Sequence, residues 1–301
     1  MAPAPRRSSL PVPLRGPLPG RLRRASGWGH HGRSRGQRGP EDPEGPLVAA
    51  AGRRKGWMII GPLALVGGDE LHPGNEPQDR LLVRNAPGGP AFVVTTAAAR
   101  QHPERAAENA RRWFGELGFA IEELRLTTRA RARSSELAVR ARAGGFFYFV
   151  GGDPGLVPTV LAGTPSWDAI VEAWRGGAVL AGSSAGAMAF GEWTLIRERM
   201  PGDERRRFRP ALGLVPGLAV VPHFDTFGER WVGPALDAAP RGDVILLGLD
   251  ERTAAVCIDG TWRVEGAGSV SAITRVRRDV FGSGEEIRDL PRPGVWEADP
   301  P

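Results

Sequence analysis

The sequence has little cysteine and no long apolar run, and each shortage excludes a class of protein. Cys257 is the single cysteine among 301 residues, which excludes an internal disulfide framework and a thiolate metal site. No run of about 18 apolar residues occurs, which argues against a membrane span. We therefore expect a reduced, cytoplasmic protein that uses neither a metal nor a cofactor.

Charge is divided unevenly along the chain. Residues 1–57 hold twelve Lys and Arg against three acids, so this segment carries +9 and the remainder −3, although the whole chain carries +6. The basic character belongs to the N-terminal segment and says nothing about what the folded part binds. We expect no nucleic-acid partner.

The N-terminal segment also differs in composition, because residues 1–56 are rich in Pro, Gly and Arg. Such a segment buries too little apolar surface to offset its ordering entropy. The sequence predicts a disordered basic tail over 1–56, a folded domain over 57–280 and a flexible charged tail over 281–301. Since Met58 opens directly on an apolar run, the first tail is either genuine or an upstream misreading of the start.

From residue 57 to about 280, short apolar runs alternate with longer amphipathic segments, as is typical of a parallel sheet with helices on its faces. Four runs are apolar almost throughout and predict strands buried on both faces, at 62–66, 91–95, 146–150 and 178–181. Helices are predicted over 104–117, over 165–175 and after Ser184. Four later runs, at 244–249, 253–258, 261–264 and 269–273, are joined by short turns and predict antiparallel hairpins.

The strongest local pattern is Gly-Ser-Ser-Ala-Gly at 182–186, which lies between an apolar strand and a helix-compatible run. This is the setting of a nucleophile elbow, with Ser184 at the turn. Gly182 and Gly186 supply the small residues that such a turn needs on either side. The Ala185 N–H, at the start of the following helix, can donate to a developing oxyanion. A turn that merely connects strand and helix is the alternative.

A serine nucleophile needs a base, and His223 is the sole histidine after Ser184. It ends the apolar run 218–222, where a strand would deliver it to the same sheet edge. The next apolar run ends on Asp250 and Glu251, and a carboxylate there can hold the tautomer of the base. Spacing alone allows either acid.

Four acids lie between Ser184 and His223, but all fall in one polar excursion that no predicted strand carries to the sheet edge: Glu192, Glu198, Asp203 and Glu204. The order Ser, His, acid differs from the Ser, acid, His order of α/β-hydrolases and argues against that fold.

Two Gly-Gly-Asp turns, at 67–69 and 151–153, each follow an apolar run directly. Glycines at the ends of parallel strands let backbone N–H groups approach a ligand closely. Gly152 is therefore a candidate for the second oxyanion donor.

Taken in order, these residues make the chain similar to the cyanophycinase and peptidase E family of serine peptidases. The resemblance extends over about 57–275 and rests on six ordered motifs, at 67–70, 151–153, 184–187, 212–217, 223–224 and 248–254. It implies an α/β fold like that of class I glutamine amidotransferases, with a mostly parallel central sheet in a flavodoxin-like three-layer arrangement and antiparallel hairpins at the C-terminal end.

The resemblance also implies the roles of individual residues, and it favours Glu251 over Asp250 as the acid. The implied set is nucleophile Ser184, base His223, acid Glu251, oxyanion donors Gly152 and Ala185, and substrate contacts Asp153 and Arg230.

The chain departs from the cyanophycinase pattern around the histidine. Val221 and Pro222 precede it where an Asp-Gln pair is usual, and Phe227 and Glu229 stand where arginines are expected. Pro-His-Phe is closer to the peptidase E side of the family, whose members resemble dipeptidases. We expect cleavage of an amide bond in a small peptide by a dipeptidase-like or cyanophycinase-like activity, and these departures favour the former.

Two other functions stay open at this point. One is a hydrolase for a small non-peptide amide or ester, and the other is an inactive binding protein on the same scaffold. No partner beyond a small peptide substrate is expected, and a homodimer is compatible with the sequence.

Overall fold

A computed structural model describes residues 60–197 and 206–294. The predicted tail over 1–56 and the acids Glu198, Asp203 and Glu204 lie outside the described residues. Within those two ranges the chain forms thirteen strands: β1 (Leu63–Val66), β2 (Ala91–Val94), β3 (Glu122–Glu123), β4 (Phe146–Phe149), β5 (Val179–Ser183), β6 (Gly191–Arg197), β7 (Arg206–Pro210), β8 (Val215–Val221), β9 (Ile245–Leu249), β10 (Thr253–Ile258), β11 (Thr261–Gly266), β12 (Val270–Ile273) and β13 (Arg278–Phe281).

The same residues form eight α-helices: α1 (Glu76–Arg84), α2 (Pro103–Glu116), α3 (Arg129–Ala132), α4 (Ser135–Arg142), α5 (Leu156–Leu161), α6 (Pro165–Arg175), α7 (Ala185–Met188) and α8 (Val232–Asp237). A π-helical segment (Phe224–Gly228) and a 3₁₀ turn (Glu229–Trp231) lead into α8. None of the described helices is long and apolar enough to cross a bilayer.

The first sheet has seven strands in the order β11-β10-β1-β5-β4-β2-β3. Strands β1, β5, β4, β2 and β3 are parallel, and β10 joins β1 in antiparallel pairing. The four predicted parallel strands are confirmed, and every residue of β1, β2, β4 and β5 is buried, as their apolar sequences require. The α/β fold class is confirmed.

The predicted antiparallel strands at the C-terminal end are present, but they divide between the first sheet and a second, six-stranded sheet ordered β13-β12-β9-β8-β6-β7. Strands β10 and β11 do form a hairpin, but β9 and β12 belong to the second sheet. There β9 runs parallel to β8, and β8 parallel to β6. The chain therefore crosses between the two sheets after β9 and again after β11, because β10 and β11 belong to the first sheet.

The predicted helices differ in how far they extend. Helix α2 buries Ala107, Ala110, Trp113 and Phe114 on one face, as the pattern indicated. Helix α6 has the predicted bounds. The helix after Ser184, however, ends after four residues, and the chain enters β6 at Gly191. A Cβ at Gly191 would lie 2.5 Å from the backbone oxygen of Leu218 on β8. The glycine therefore allows β6 to pair closely with β8 from this residue on.

The folded domain extends beyond residue 280, which corrects the predicted flexible tail over 281–301. Ile287 is 3% exposed and donates its N–H to the Trp262 carbonyl oxygen. Trp262 in turn donates its indole N–H to Pro291, and Gly294 donates its N–H to Leu214. Apolar contacts and backbone hydrogen bonds thus hold the segment through residue 294, and residues 295–301 lie outside the described part.

One acid of α1 lies inside the core. Asp79 is fully buried, and its Oδ2 accepts a 2.7 Å hydrogen bond from the Trp113 indole, while Oδ1 has no partner among the described residues. Burial, followed by the negative charges of Glu70 and Glu76, raises the pKa of Asp79 to about 7 against the opposing effect of the Trp113 hydrogen bond.

This raised pKa makes stability depend on pH. Between the ordinary pKa of aspartate and about 7, the folded state holds a proton that the unfolded state has released, so the free energy of unfolding falls as pH rises. Asp79→Asn keeps an acceptor for Trp113 and carries no charge. We expect its stability advantage over the unmodified protein to grow between pH 4 and 8, by at most about 1.4 kcal/mol per pH unit.

Urea unfolding at pH 4, 6 and 8 measures this difference. The exposed Asp237 supplies the control Asp237→Asn, which should track the unmodified protein at all three values. A constant offset between Asp79→Asn and the unmodified protein would show that Asp79 does not titrate in this range.

Candidate active site

Ser184 lies at a sharp turn between β5 and α7, with φ 49° and ψ −114°. Its N–H donates to the Val66 carbonyl oxygen at 2.9 Å, which ties the turn to β1. The glycines on either side are required by close approach: a Cβ at Gly182 would lie 2.6 Å from the backbone of Gly186, and one at Gly186 would lie 2.5 Å from the Phe149 oxygen. Small residues therefore permit a backbone conformation that side chains rarely adopt.

His223 follows the end of β8 and places its Nε2 3.0 Å from Ser184 Oγ. The sequence predicted a common sheet edge, but β8 belongs to the second sheet and β5 to the first. Ser184 and His223 therefore meet across the junction of two sheets. Of the four acids between Ser184 and His223, the described one is Glu192, which lies on β6 of that second sheet and accepts hydrogen bonds from the Gly217 N–H and the Arg241 side chain.

The imidazole is enclosed by its neighbours. A Cβ added at Gly68 would lie 2.2 Å from Cε1 of His223, so only glycine leaves room for the ring. The Phe227 ring stacks on the imidazole with centroids 4.9 Å apart and an angle of 19° between the planes. These contacts restrict rotation of the ring away from Ser184.

Of the two candidate acids, Glu251 is the one beside the histidine. Its Oε1 lies 2.7 Å from His223 Nδ1, and its N–H donates to Asp225 Oδ1 at 3.0 Å. Asp250 Oδ2 instead accepts hydrogen bonds from the N–H and the hydroxyl of Ser269, at 2.8 and 2.7 Å. The geometry separates two neighbours that spacing could not distinguish.

The turn after β1 ties the loops of the two sheets together. Gly67 accepts a 2.7 Å hydrogen bond from the His223 N–H and donates its own N–H to Thr253, while Gly68 accepts from the Arg252 N–H. The Arg252 side chain also donates to Asp69 Oδ2 at 2.6 Å. Although burial acts to raise it, the pKa of Asp69 is lowered overall, because hydrogen bonds and charge from Arg252 and His72 favour the carboxylate.

The two predicted oxyanion donors are available in the structure. Gly152 has φ 143°, and a Cβ there would lie 2.3 Å from the Ala97 oxygen. Among the described residues, neither the Gly152 N–H nor the Ala185 N–H donates to a protein acceptor. Because α7 is a single turn, Ala185 contributes its N–H rather than the dipole of a long helix.

The predicted substrate contacts lie apart from the Ser-His-Glu contacts. Asp153 Oδ1 accepts the Gly155 N–H at 2.9 Å, and its other oxygen lies 3.7 Å from Arg100 Nη1. Arg230 is exposed, with its guanidinium 5.7 Å from the centroid of the Trp231 ring. The described contacts link neither residue directly to Ser184.

Sequence reasoning gave no individual role to Glu70. Its Oε1 accepts the Gly151 N–H at 2.7 Å and its Oε2 accepts the Ser183 hydroxyl at 3.0 Å. Its position in the sequence could have indicated a role in the site, because Glu70 follows the first Gly-Gly-Asp turn at the carboxyl end of a parallel strand. In the described residues, no group of three or more His, Cys, Asp or Glu side chains is arranged to hold a metal ion.

Comparison with known proteins gives a consistent set of relatives. The model of peptidase family S51 matches residues 73–264, which is more than half of the chain. Cyanophycinases of Synechococcus elongatus and Thermosynechococcus vestitus are each 29% identical over 199 residues, covering 63% of this chain and 61% of theirs. The chain thus spans about three fifths of the length of these relatives.

A solved structure is also similar. A peptidase from an acI-B1 actinobacterium has a TM-score of 0.67 and 28% identity, covering 76% of this chain and 97% of its own.

The contrast between the neighbouring acids is testable at Ser184. A fluorophosphonate reacts with serines activated by a histidine, and losing the acid of such a triad costs on the order of 10⁴-fold in rate. We expect Glu251→Gln to slow labelling of Ser184 by several orders of magnitude. Asp250→Asn, a matched change one residue away, should stay within a few-fold of the unmodified protein. Equal losses in both variants would contradict a special role of Glu251.

Proposed function

Because the chain belongs to peptidase family S51, we propose that it is a serine peptidase that hydrolyses an amide bond of a small peptide through an acyl-enzyme. The observation that supports this most directly is the continuous set of contacts from Ser184 Oγ to His223 Nε2, at 3.0 Å, and from His223 Nδ1 to Glu251 Oε1, at 2.7 Å. Nucleophile, base and orienting acid are in hydrogen-bonding reach of one another.

In the first half of the reaction, His223 Nε2 takes the proton of Ser184 as Oγ attacks the amide carbonyl carbon. The Glu251 carboxylate accepts a hydrogen bond from the Nδ1–H of the histidine, which fixes the tautomer and stabilises the imidazolium. The imidazolium then gives its proton to the leaving amine, the C–N bond breaks, and the acyl group stays on Ser184. A water then attacks the acyl carbon as His223 takes its proton, the bond between that carbon and Ser184 Oγ breaks, and His223 returns the proton to Oγ as the product acid leaves.

The negative charge on the carbonyl oxygen requires donors that are already in place. We assign this role to the N–H groups of Gly152 and Ala185, which have no protein acceptor in the described part of the chain. One such donor typically contributes 10²–10³-fold in kcat.

The surroundings of the histidine support a small peptide over cyanophycin, although relatives of this chain carry the name cyanophycinase. Phe227 is 40% exposed and stacks on the imidazole, so the exposed surface beside His223 is apolar. Glu229 forms an ion pair with Arg278 on β13. Arg230 is exposed and, among the described residues, has no carboxylate partner, so it offers a cation to a peptide carboxylate. Asp153 is the second proposed substrate contact, and its Oδ2 lies 3.7 Å from Arg100 Nη1.

The exposed Phe227 also favours one alternative, a hydrolase for a small amide or ester with an apolar group. The third possibility, an inactive binding protein, has less support, because a complete set of Ser, His and Glu contacts is retained.

The role of Ser184 has a direct test. Ser184→Ala should lose fluorophosphonate labelling and should lower hydrolysis of any substrate by on the order of a million-fold, because the attacking oxygen is gone. The exposed Ser135 on α4 gives the matched control Ser135→Ala, which should react like the unmodified protein. Retained activity in Ser184→Ala would exclude this nucleophile.

A substrate panel distinguishes peptidase from amidase or esterase. Dipeptides with free and with acetylated α-amino groups, simple anilides and p-nitrophenyl esters would be assayed side by side by released product. A dipeptidase should require the free amino group, so acetylation should abolish turnover. Efficient cleavage of anilides or esters without turnover of any dipeptide would favour the alternative.

A further inference from the structure

Glu70 makes two hydrogen bonds beside the proposed nucleophile, and each reaches a different catalytic segment. One carboxylate oxygen accepts the Gly151 N–H at 2.7 Å, and the other accepts the Ser183 hydroxyl at 3.0 Å. Gly151 directly precedes the proposed oxyanion donor Gly152, and Ser183 directly precedes Ser184. A single side chain from the β1 turn therefore spans the loop after β4 and the end of β5.

The three segments meet without spare room. A Cβ built on Gly151 would lie 3.0 Å from Glu70 Oε1 and 3.2 Å from Ser184 Cβ. The carboxylate and the nucleophile thus contact the same small region on one side of Gly151. A shift of this glycine would change the distance between Ser184 and the loop 151–153, which is called the oxyanion loop below because it carries the proposed donor Gly152.

The hydrogen bonds along the oxyanion loop alternate. Gly151 donates its N–H to Glu70, and Asp153 donates its N–H to the Ala97 oxygen at 2.9 Å. The amide between them, that of Gly152, donates to no described residue. Holding the amides on both sides fixes the direction of the one left free.

The charge of Glu70 is not used in an ion pair with any described Lys, Arg or His. Its negative charge adds to the effect of burial in raising the pKa of two neighbouring groups, Asp79 and Tyr148. A carboxylate is kept here despite this repulsion, and its described hydrogen-bond partners are the two neutral donors at the site.

We propose that Glu70 is a positioning residue for the peptidase reaction, which holds the Gly151–Gly152 loop against the Ser183–Ser184 turn so that the Gly152 N–H points at the oxyanion. The proposal rests on the proposed function of Ser184 and Gly152. It assigns Glu70 no contact with substrate, and its effect is transmitted through the two hydrogen bonds.

The test compares second-order rate constants for fluorophosphonate labelling, together with kcat and KM for a p-nitrophenyl ester. Glu70→Ala removes both hydrogen bonds and should slow labelling and lower kcat by about 10²–10³-fold, the loss typical of one oxyanion donor, with KM nearly unchanged. Glu70→Gln can still accept from Gly151 and can donate to the Ser183 oxygen. It should restore the rate to within about tenfold of the unmodified protein.

A matched control is Glu76→Ala. This change also deletes a carboxylate that accepts a backbone N–H, that of Gly74 at 2.6 Å, but touches neither catalytic segment. Its labelling should be that of the unmodified protein. If Glu70→Ala does not fold, as judged by circular dichroism, Glu70→Asp decides instead, because the shorter side chain cannot reach both donors and should show the same loss.

The outcomes separate the two proposals. Unmodified protein that is not labelled at Ser184 would contradict the proposed function itself. Normal labelling of the unmodified protein with equal labelling of folded Glu70→Ala or Glu70→Asp would overturn the role of Glu70 alone. A purely structural role would lower the urea midpoint of Glu70→Ala and leave the rate constant of the folded protein unchanged.

Discussion

The site depends on the backbone hydrogen bonds of one glycine pair. Gly67 and Gly68 directly follow β1 of the first sheet, yet they bond to His223, which follows β8 of the second sheet, and to Arg252 and Thr253, where the chain returns from β9 to the first sheet. These bonds tie the loop that carries His223 to the end of the strand that pairs with β5, and β5 leads directly into Ser184. Gly68 adds a steric condition, since its missing side chain is the space that the imidazole occupies.

Four parallel strands of the first sheet could be predicted from the sequence, because they are apolar almost throughout and alternate along the chain with helix-like segments. The second sheet could not. Strand β7 (Arg206–Pro210) is mostly half-buried or exposed and rich in arginine, so its sequence is typical of a loop. Strand β9 is apolar enough to be recognised, but its parallel partner β8 is more than twenty residues earlier, and local patterns carry no information about such pairing.

At the site, the sequence predicted the types of residue and their order along the chain, but it did not decide which of two neighbouring acids lies beside the histidine. Asp250 and Glu251 both follow a buried strand, and the difference lies in which way each side chain leaves the turn: one toward Ser269, the other toward His223. The same limit applies to Glu70, whose two partners come from segments more than eighty residues away. Side-chain direction at a turn is a tertiary property, and the linear pattern does not contain it.

The contact between Ser184 and His223 depends on how the two sheets are positioned relative to each other. The 3.0 Å contact between Ser184 and His223 spans two sheets that each have a separate hydrogen-bonded frame. A relative slip of about 1 Å would leave every strand intact and the spectroscopic signature of secondary structure unchanged, while costing roughly a hundredfold in turnover. Turnover would therefore register distortions of the interior that bulk measurements of folding miss, and partial loss of function would precede any visible loss of structure.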